Sequence, residues 1–412
     1  MKVITVSTYD VKGGAARAAY RLHTALGHAG MDTAMLVQDR EGPDGGLLGP
    51  DSALGKAMGI VRPTLDLWPV NRYKHRKPIM FSPAWLPFTG LPRRLNSSDA
   101  DVVHLHWVAG GMMRIEDLAA IEKPIVWSLH DMWAYTGGCH IDAGCGRYQQ
   151  HCGACPVLGS QREHDLSHRV FERKRRTLEK VKNITIVGLS RWMADNARKS
   201  ALFGQLPVVN IPNPIDTGVF QPIERAAARA LLGLPAEARL LLFGGYKATA
   251  DPNKGFAELA TALGLIRDAN VELMVMGAMR PAQPPDLGSP TPYMGHYHDD
   301  LAMAILYNAA DVVIVPSRQE NLSNTIMESM ACGTPVVAFD IGGNKDMIDP
   351  LVNGWLAKPQ DAQDLAAGIR WALEPARRPD LRRAAREKVL AEFEQAKVAA
   401  RYRQLYEEVV KH

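Results

Sequence analysis

Two glutamates, Glu320 and Glu328, stand with seven residues between them in the stretch PSRQENLSNTIMESMACGTPVVAFD. The pattern places Glu320 in the loop after a strand and Glu328 inside the helix that follows. A carboxylate in that loop can accept hydrogen bonds from sugar hydroxyls, and one in the helix can bind a ribose diol. Backbone N–H groups of Leu322, Ser323 and Asn324 would face a diphosphate between them. Taken alone, the pair could equally complement the helix dipole.

Other residues capable of chemistry follow predicted strands elsewhere. Lys254 comes just before a helix in DPNKGFAELA, so its ammonium and the helix N–H groups could converge on one phosphate. Gly13 and Gly14 follow the first strand and let the backbone approach a ligand closely. His130 and Asp131 follow the strand PIVWSL, where a histidine could donate to a sugar hydroxyl. The alternatives are a solvated lysine, an ordinary glycine turn, and a helix-capping aspartate beside a structural histidine.

Four of the five cysteines fall in one glycine-rich segment soon after this histidine. They have the spacing C-x5-C-x6-C-x2-C and are Cys139, Cys145, Cys152 and Cys155. In a reducing compartment such a cluster favours a metal over disulfides, and four thiolates can enclose a structural Zn²⁺, with His140 or His151 replacing one ligand. Only the last pair has the usual CxxC spacing, so free thiols or an adventitious disulfide remain open. A catalytic zinc is not expected, because four protein ligands leave no open position.

These residues are carried by strand-like runs that alternate with helical patterns along the whole chain. The alternation predicts an α/β protein built from βαβ units around parallel sheets. The series restarts near ARLLLFGG, so the 412 residues are expected to form two doubly wound domains. The prolines of VVNIPNPIDTGVFQPIE interrupt any regular element and mark the connector. We therefore predict domains over 1–217 and 218–395, with a C-terminal helix over about 396–412 as a candidate to pack back on the first.

Charge and hydrophobicity place the chain among ordinary globular proteins. The formal net charge of +4 gives no reason to expect a nucleic-acid partner. The N-terminal MKVITVSTYD lacks the longer apolar core of a signal peptide, and no run reaches the roughly 20 apolar residues of a membrane span. The sequence predicts a cytoplasmic protein and leaves open a peripheral contact with the inner face of the membrane.

A family resemblance covers nearly the whole chain. Glu320 and Glu328, followed by SMACGTPVVAFDIGGNKDMI and then NGWLAK, resemble the signature of the family-four retaining glycosyltransferases of the GT-B fold. IPNPIDTGVF is similar to that family's interdomain element, with Asn213 and Asp216 in matching places. HLHW and LHD resemble parts of its first domain, and GHYHDDLAMAILYNAADVVIVPS resembles its nucleotide-side loop and helix. The resemblance is most specific from 295 to 358.

The resemblance implies two Rossmann-like domains facing a cleft, with a nucleotide sugar bound mainly against the second. It also implies a role for each matching residue: Gly13 and Gly14 in the loop that closes over the donor, His130 beside the sugar and leaving phosphate, Lys254 at the diphosphate, Glu320 at the donor-sugar hydroxyls and Glu328 at the ribose. Family members commonly carry an arginine after the first strand of the second domain, where this chain reads GGY. Lys247 could substitute for it, and backbone around His296 and Tyr297 is expected to recognise the base.

On this resemblance we expect a retaining, metal-independent glycosyltransferase of the hexosyltransferase type, acting in polysaccharide biosynthesis. It would move a sugar from a nucleoside-diphosphate donor to a glycan or a lipid-linked glycan. No cofactor is expected for transfer, and a structural zinc is the one metal under consideration. The alternative, suggested by the missing arginine, is a non-catalytic nucleotide-sugar-binding scaffold of the same fold.

Three remaining patterns are interpreted as structural. Asp99 and Asp101 form a D-x-D sequence, but they precede a strand, where polar residues commonly mark a turn. The basic run over 171–183 is predicted to be a helix with a solvated face, the alternative being contact with an anionic membrane. The segment over 58–95 is rich in proline, aromatic and basic residues and is predicted to be an irregular packed loop. Its alternative is a contact with the acceptor or with a membrane.

Overall fold

The computed structural model of the protein describes residues 1–42, 46–50, 52–245, 248–266, 270–297 and 299–411. The chain divides into two compact units. One contains Met1–Asn213 together with the chain from Val398 onward, and the other contains Pro214–Lys397. The predicted boundary after residue 217 lies a few residues beyond this division.

The first unit is built on a parallel sheet, to which the described residues contribute seven strands. In chain order these are β1 (Lys2–Tyr9), β2 (Asp32–Asp39), β3 (Leu47–Leu48), β4 (Val102–Leu105), β5 (Ile125–Leu129), β6 (Ile184–Gly188) and β7 (Val208–Asn210). Their order across the sheet is β3-β2-β1-β4-β5-β6-β7. Every residue of β5 and β6 is buried, which explains why these strands read as continuous, largely apolar runs.

Helices cover this sheet. In chain order they are α1 (Gly14–His28), α2 (Ala53–Asp66), α3 (Leu91–Asn96), α4 (Leu166–Leu178) and α5 (Arg191–Lys199). Side-chain caps begin the last two: Asp165 accepts the N–H of His168 at 3.1 Å, and Ser190 accepts the N–H of Met193 at 3.1 Å. Helix α1 instead begins at a glycine pair and has no acidic residue in its first turn.

Helix α2 corrects the prediction of an irregular loop over 58–95, which is wrong for the first part of that segment. Pro63 lies inside the helix and has no N–H to donate to the carbonyl of Gly59. The side-chain amide of Gln38 lies 3.4 Å from that carbonyl oxygen instead. The helix therefore continues past a proline that the sequence pattern interprets as a break.

The second unit contains another parallel sheet, with six strands among the described residues. They are β8 (Arg239–Gly244), β9 (Val271–Met276), β10 (Tyr293–Gly295), β11 (Val312–Val315), β12 (Val336–Phe339) and β13 (Gly354–Ala357), in the order β10-β9-β8-β11-β12-β13. The helices that follow α5 are α6 (Arg225–Leu232), α7 (Phe256–Ile266), α8 (Asp300–Ala309), α9 (Asn324–Ala331), α10 (Asn344–Met347), α11 (Ala362–Ala372), α12 (Arg378–Glu392) and α13 (Gln395–Val410). Both units are doubly wound and Rossmann-like, which confirms the predicted fold class.

Helix α13 runs from the second unit into the first. From Val398 onward its apolar side chains join a core cluster of the first unit, in which Tyr402 and Tyr406 are fully buried. Val3 of β1 and Val102 of β4 belong to the same cluster. The first unit is thus assembled from two distant segments of the chain. No helix in the described residues is both long and apolar enough to cross a membrane.

Candidate functional site

The two glutamates of the second unit lie where the sequence places them. Strand β11 ends at Val315 and α9 begins at Asn324, so Glu320 is in the connecting loop and Glu328 is in the helix. Ser323 is the N-cap of α9, and its hydroxyl accepts the N–H of Ile326 at 3.4 Å. The first N–H groups of a helix have no acceptor inside the helix, which makes this end suitable for an anion.

A cation lies beside the loop carboxylate. The Lys254 ammonium is 3.5 Å from Glu320 Oε2, and the negative charge of that carboxylate raises the pKa of Lys254. The pairing is held by the neighbouring backbone, because the Asn253 side chain exchanges two hydrogen bonds with the backbone of Gln319 at 2.9 and 3.1 Å. The structure therefore brings together two residues that are far apart in the sequence.

Two glycines allow this close approach. Gly255, next to Lys254, has a φ of 72°, and a Cβ there would collide with the carbonyl oxygen of Pro316. Gly342 has a φ of 50°, and a Cβ there would collide with the carbonyl oxygen of Glu320. A larger residue at Gly255 would push the lysine away from the loop that follows β11, and a larger residue at Gly342 would displace the backbone of Glu320.

Glu328 is fixed by a tyrosine that sequence reasoning missed. The carboxylate is buried and accepts a hydrogen bond from the Tyr307 hydroxyl at 2.7 Å. Burial, and then the charge of Glu328, raises the pKa of Tyr307 well above its ordinary value, so the hydroxyl stays protonated and donates. Tyr307 lies on the buried face of α8, where nothing in the sequence pattern separates it from a core aromatic residue.

The other residues of the predicted donor site lie at the start of α9 and in the connection between β10 and α8. Leu322 is buried beside the α9 N-cap, and Asn324 is the first residue of that helix. Tyr297 is partly buried in the turn between β10 and α8, next to an exposed His296. Lys247 lies outside the described residues, so its substitution for the missing arginine stays a prediction.

In the first unit, the glycine pair opens α1. Gly13 is the N-cap, with a φ of 91° that side chains rarely adopt, and a Cβ there would meet open space. The preceding loop is held by Asp10, whose carboxylate accepts the N–H groups of Val11, Glu41 and Gly42 at 2.7–3.0 Å. A rigid loop thus presents a glycine at the start of a helix.

His130 follows β5 and belongs to a buried histidine network. Its Nε2 lies 2.9 Å from Nδ1 of His106, which follows the neighbouring strand β4. Burial lowers the pKa of His130 to about 4 and places the pKa of His106 well below its ordinary value. Both rings are therefore neutral at neutral pH, and His130 is not a cation for the diphosphate.

The network continues toward α13. His104 of β4 contacts the Tyr406 hydroxyl through Nδ1 at 2.7 Å and Ser128 through Nε2 at 2.8 Å. Ser128 in turn lies 3.0 Å from the Tyr402 hydroxyl. The motif HLHW thus supplies one histidine that holds the last helix and one that holds His130, a division that the sequence does not reveal.

Asp131 is more than a cap. One carboxylate oxygen accepts the N–H of Trp133 at 2.8 Å, as a capping residue would. The other accepts the indole N–H of Trp107 at 2.9 Å and contacts Nδ1 of His140 at 2.7 Å. Burial alone would raise the pKa of Asp131, but His140 and the other donors hold it below its ordinary value. The residue directly after His130 is therefore a charged side chain whose hydrogen bonds fix the local backbone.

The cysteine segment contains free thiols. Three of them are buried, Cys145 is partly exposed, and the segment packs in the core cluster of the first unit. Among the residues that the structure describes, no three His, Cys, Asp or Glu side chains are already arranged to hold a metal. His140 contacts Asp131 and Ser82, and His151 contacts Glu163. The structural zinc stays a prediction.

The D-x-D and basic patterns have structural partners. Asp99 forms an ion pair with Lys2 at 3.0 Å, and Asp101 accepts the Lys2 backbone N–H at 2.7 Å. In α4, Arg175 pairs with glutamates one turn away on either side. Lys174 of the same helix is buried and donates to backbone carbonyls. These contacts favour the interpretation of the basic run as an ordinary helix.

Solved structures share the fold of this chain over nearly its whole length. The chain is similar to sucrose-phosphate synthase from Thermosynechococcus elongatus, with a TM-score of 0.71, 21% identity and 99% of each chain covered. It is also similar to HepE of Anabaena in complex with UDP, with a TM-score of 0.63, 16% identity and coverage of 99% of this chain and 100% of that chain. At such low identity these likenesses establish the GT-B fold alone.

Family comparisons go further. The family model described as Glycosyltransferase Family 4 matches residues 12–219, which is half of the chain. The family model described as Glycosyl transferases group 1 matches residues 237–375. The chain therefore belongs to glycosyltransferase family 4. Curated relatives include the D-inositol 3-phosphate glycosyltransferases of Saccharomonospora viridis, 38% identical over 42% of this chain and 44% of the relative, and of Thermobispora bispora, 30% identical over 49% and 51%. The chain spans about half the length of these relatives.

Proposed function

We propose that the protein is a retaining glycosyltransferase that moves a hexosyl group from a nucleoside-diphosphate sugar to a hydroxyl of a glycan or lipid-linked glycan. The observation that carries the proposal is the 3.5 Å approach of Lys254 to Glu320, next to the N-terminus of α9. A fixed ammonium, a carboxylate and helix N–H groups at one edge of a parallel sheet suit a sugar diphosphate.

In this proposal the donor is held by complementary charges. The ammonium of Lys254 and the N–H groups at the start of α9 bind the diphosphate, while Glu320 accepts hydrogen bonds from sugar hydroxyls. Glu328, aligned by the Tyr307 hydroxyl, binds the ribose diol. The first unit would contribute the Gly13–Gly14 backbone to the diphosphate and His130, as a neutral donor, to the sugar.

Transfer with retention would proceed by attack on the face that the diphosphate leaves. The bond between the anomeric carbon and the phosphate oxygen breaks, the acceptor oxygen bonds to that carbon, and the acceptor proton passes to the leaving phosphate oxygen. Lys254 and the helix N–H groups stabilise the charge that develops on the leaving diphosphate. Glu320 stabilises the positive charge that develops at the sugar ring. Since these groups supply the required charge, the proposed step uses no cofactor.

The donor and acceptor are proposed by chemical class. HepE of Anabaena has been solved with UDP and with UDP-glucose, which supports a nucleoside-diphosphate hexose as donor. The curated relatives are named for transfer to an inositol phosphate, so their names do not define the acceptor of this chain. We propose a role in polysaccharide biosynthesis on the cytoplasmic side of the membrane, with peripheral membrane contact and no nucleic-acid partner.

A second candidate is a non-catalytic nucleotide-sugar-binding protein. It is favoured by the Gly244–Gly245 pair at the end of β8, where the related enzymes commonly carry a second cation for the diphosphate. Loss of the second cation would reduce stabilisation of the leaving diphosphate in the transition state more than it would reduce binding of the donor.

A thermal-shift screen of nucleoside diphosphates and their hexoses, followed by donor hydrolysis and transfer assays, tests both candidates. A ligand at 100 times its dissociation constant should stabilise the protein by about 2.7 kcal/mol. Stabilisation together with turnover supports the transferase, and stabilisation without turnover on any acceptor supports the binding protein. A complete lack of stabilisation by every nucleotide tested would contradict both.

A further inference from the structure

Helix α2 exposes its apolar side chains to solvent. Four of them recur at helical spacing along one face and are 39–74% exposed: Leu54, Met58, Val61 and Leu65. Trp68 continues the same face just beyond the helix and is 58% exposed. A helix on the surface of a soluble protein normally turns such a face toward the core. We call these five residues the α2 face.

The orientation of α2 is fixed by its opposite side. The chain packs so closely there that a Cβ on Gly59 would lie 2.7 Å from the carbonyl oxygen of Gln38 in β2. Arg62 donates to the carbonyl oxygen of Gly111 at 2.6 Å. The helix cannot roll to bury its apolar face without losing these contacts, so the exposure of the α2 face is built into the first unit.

A fully exposed phenylalanine lies in the loop that follows Trp85, whose ring is 6.4 Å from the Trp68 ring of the α2 face. Arg62 of α2 also approaches the carbonyl oxygens of Leu86 and Pro87 at 3.4 Å, which brings the loop containing Phe88 against the helix. The Phe88 side chain is 96% exposed, and its backbone has a φ of 59°, where a bulky residue is strained. A strained backbone that presents an aromatic ring to water has no benefit for folding, and it points to a role in binding.

The surrounding charge is strongly positive. Residues 53–94 contain eight lysine and arginine residues and one acidic residue, Asp66, although the whole chain has a net charge of only +4. Asp66 is buried, whereas seven of the basic residues are exposed: Lys56, Arg72, Lys74, Arg76, Lys77, Arg93 and Arg94. Arg72 lies over the Trp68 ring at 5.0 Å, so the apolar and basic groups belong to one surface.

We propose that the α2 face and Phe88 insert into the interfacial region of an anionic lipid bilayer, with the basic residues of this segment contacting lipid phosphates. Apolar and aromatic side chains beside exposed lysines and arginines are the composition of a helix that lies in a membrane interface. A second copy of the chain is disfavoured as the occupant, since a two-fold contact would bring two strongly basic surfaces together.

This inference deepens the proposed function, because a lipid-linked acceptor is located in the membrane to which such a surface would bind. It rests on that function only for the identity of the acceptor. Vesicle binding requires no donor, acceptor or turnover. A failure of vesicle binding would therefore leave the transferase proposal standing, and an inactive enzyme would leave the membrane surface standing.

The test is co-sedimentation of the full chain with vesicles of phosphatidylcholine, with and without phosphatidylglycerol, at low and high salt. Binding is expected only to the anionic vesicles and should weaken at high salt, because lipid charges are screened. Phe88→Asn is the sharpest variant, since asparagine tolerates the positive φ while it removes the aromatic ring. It should reduce binding about tenfold without lowering the melting temperature.

Two matched pairs of variants separate the surface from a general effect. Leu54→Gln with Leu65→Gln should abolish binding, whereas Leu231→Gln, at a leucine on α6 that is about as exposed as Leu54, should not change it. Arg72→Gln with Lys74→Gln should weaken binding about tenfold, whereas Arg176→Gln with Lys180→Gln in the basic run should have little effect.

Three results would overturn the proposal. The first is a wild-type chain that does not bind anionic vesicles. The second is binding that persists in Phe88→Asn and in the α2 double variant. The third is concentration-dependent self-association in solution that the same variants abolish, which would assign the surface to a second copy of the chain.

Discussion

The carboxylate in the loop before α9 and the carboxylate within α9 differ in their surroundings, and this difference predicts different roles. Glu320 is partly exposed and shares its charge with Lys254, whereas Glu328 is buried and receives one hydroxyl from Tyr307. A partly exposed carboxylate can form and release hydrogen bonds with a sugar that is replaced in each turnover. A buried carboxylate held by a neutral donor is suited to a constant partner such as the nucleoside.

We expect Glu328→Gln to weaken binding of the bare nucleoside diphosphate by about 1.5–3 kcal/mol, the value of a hydrogen bond to a charged group. Glu320→Gln should preserve that binding and lower turnover of the sugar donor. Tyr307→Phe should weaken nucleotide binding by about 1 kcal/mol, since it removes the group that aligns Glu328. Isothermal calorimetry with the nucleoside diphosphate measures all three. Equal losses in the two glutamine variants would show that the roles are assigned wrongly.

The histidine pair makes a second residue-scale prediction. His106 Nε2 is buried without a partner among the described residues, and an unpaired buried lone pair costs less than an unpaired N–H. His106 should therefore carry its proton on Nδ1 and donate to His130 Nε2, which leaves the His130 proton on Nδ1. Nitrogen-15 NMR of the histidine rings measures the tautomers directly.

Variants at His106 test whether this bond matters for activity. His106→Asn places an amide N–H near the position of Nδ1 and should preserve the Nδ1–H tautomer of His130. His106→Leu should remove the hydrogen bond to His130 and lower kcat about tenfold. Because burial lowers the pKa of His130 to about 4, activity should show no step near 6.5 that depends on His130. An Nε2–H tautomer of His130 in the wild-type protein would contradict the assignment.

At the scale of single elements, the sequence predicts best where periodicity and strand ends are decisive. The alternating pattern places Glu320 and Glu328 on either side of a helix start, because loop and helix positions follow from the strand before them. The contact between Lys254 and Glu320 follows from the parallel neighbours β8 and β11, whose carboxyl ends meet at one edge. Strand order is a property of the folded sheet, so no local pattern encodes it.

The elements that sequence reasoning missed depend on tertiary partners. Helix α2 contains a proline and two glycines, which lower its local propensity, and it persists because Gln38 and β2 support it from below. Tyr307 is one aromatic residue among several buried ones until Glu328 is placed beside it. The link from His106 to His130 joins two strand ends, a contact that spacing along the chain cannot specify.

The cysteine segment supports a prediction about zinc at the same scale. Cys139 interacts electrostatically with the other three thiols, and the backbone N–H of Gly137 points to Cys152 Sγ at 3.2 Å. Burial raises the pKa of Cys152 to about 12, and the Gly137 N–H offsets this rise only in part, so a bound cation would have to supply the charge that favours the thiolate. The sulfurs are not already arranged around a metal, so binding would draw them together.

We expect about one zinc per chain in protein purified without a histidine tag, with the four thiols unreactive until a chelator is added. Chelation should lower the melting temperature of the first unit. Cys332→Ser provides the control, since this buried cysteine lies in the second unit and should not affect metal content. Negligible zinc together with four freely titrating thiols would reduce the cluster to ordinary cysteines.

At the scale of the whole molecule, the first unit depends on the last residues of the chain. His104 and the Tyr406 hydroxyl are 302 residues apart in sequence and 2.7 Å apart in space. The second unit must therefore be synthesised completely before the core of the first unit can form. Such long-range contacts slow folding, because the intervening chain must be ordered first.

Removing residues from Val398 onward should unfold the first unit and spare the second. The deletion removes Tyr402 and Tyr406 and exposes the apolar side chains of the first unit that pack against them. Burial of each such side chain contributes about 1.5–3 kcal/mol to the free energy of unfolding. Scanning calorimetry should show the loss of one transition and the persistence of another, while nucleotide binding by the second unit remains measurable. A chain that lacks only its last two residues is the control, since Lys411 is exposed. If the truncated chain retains both transitions, α13 covers the first unit without stabilising it, and the histidine network must close its core by itself.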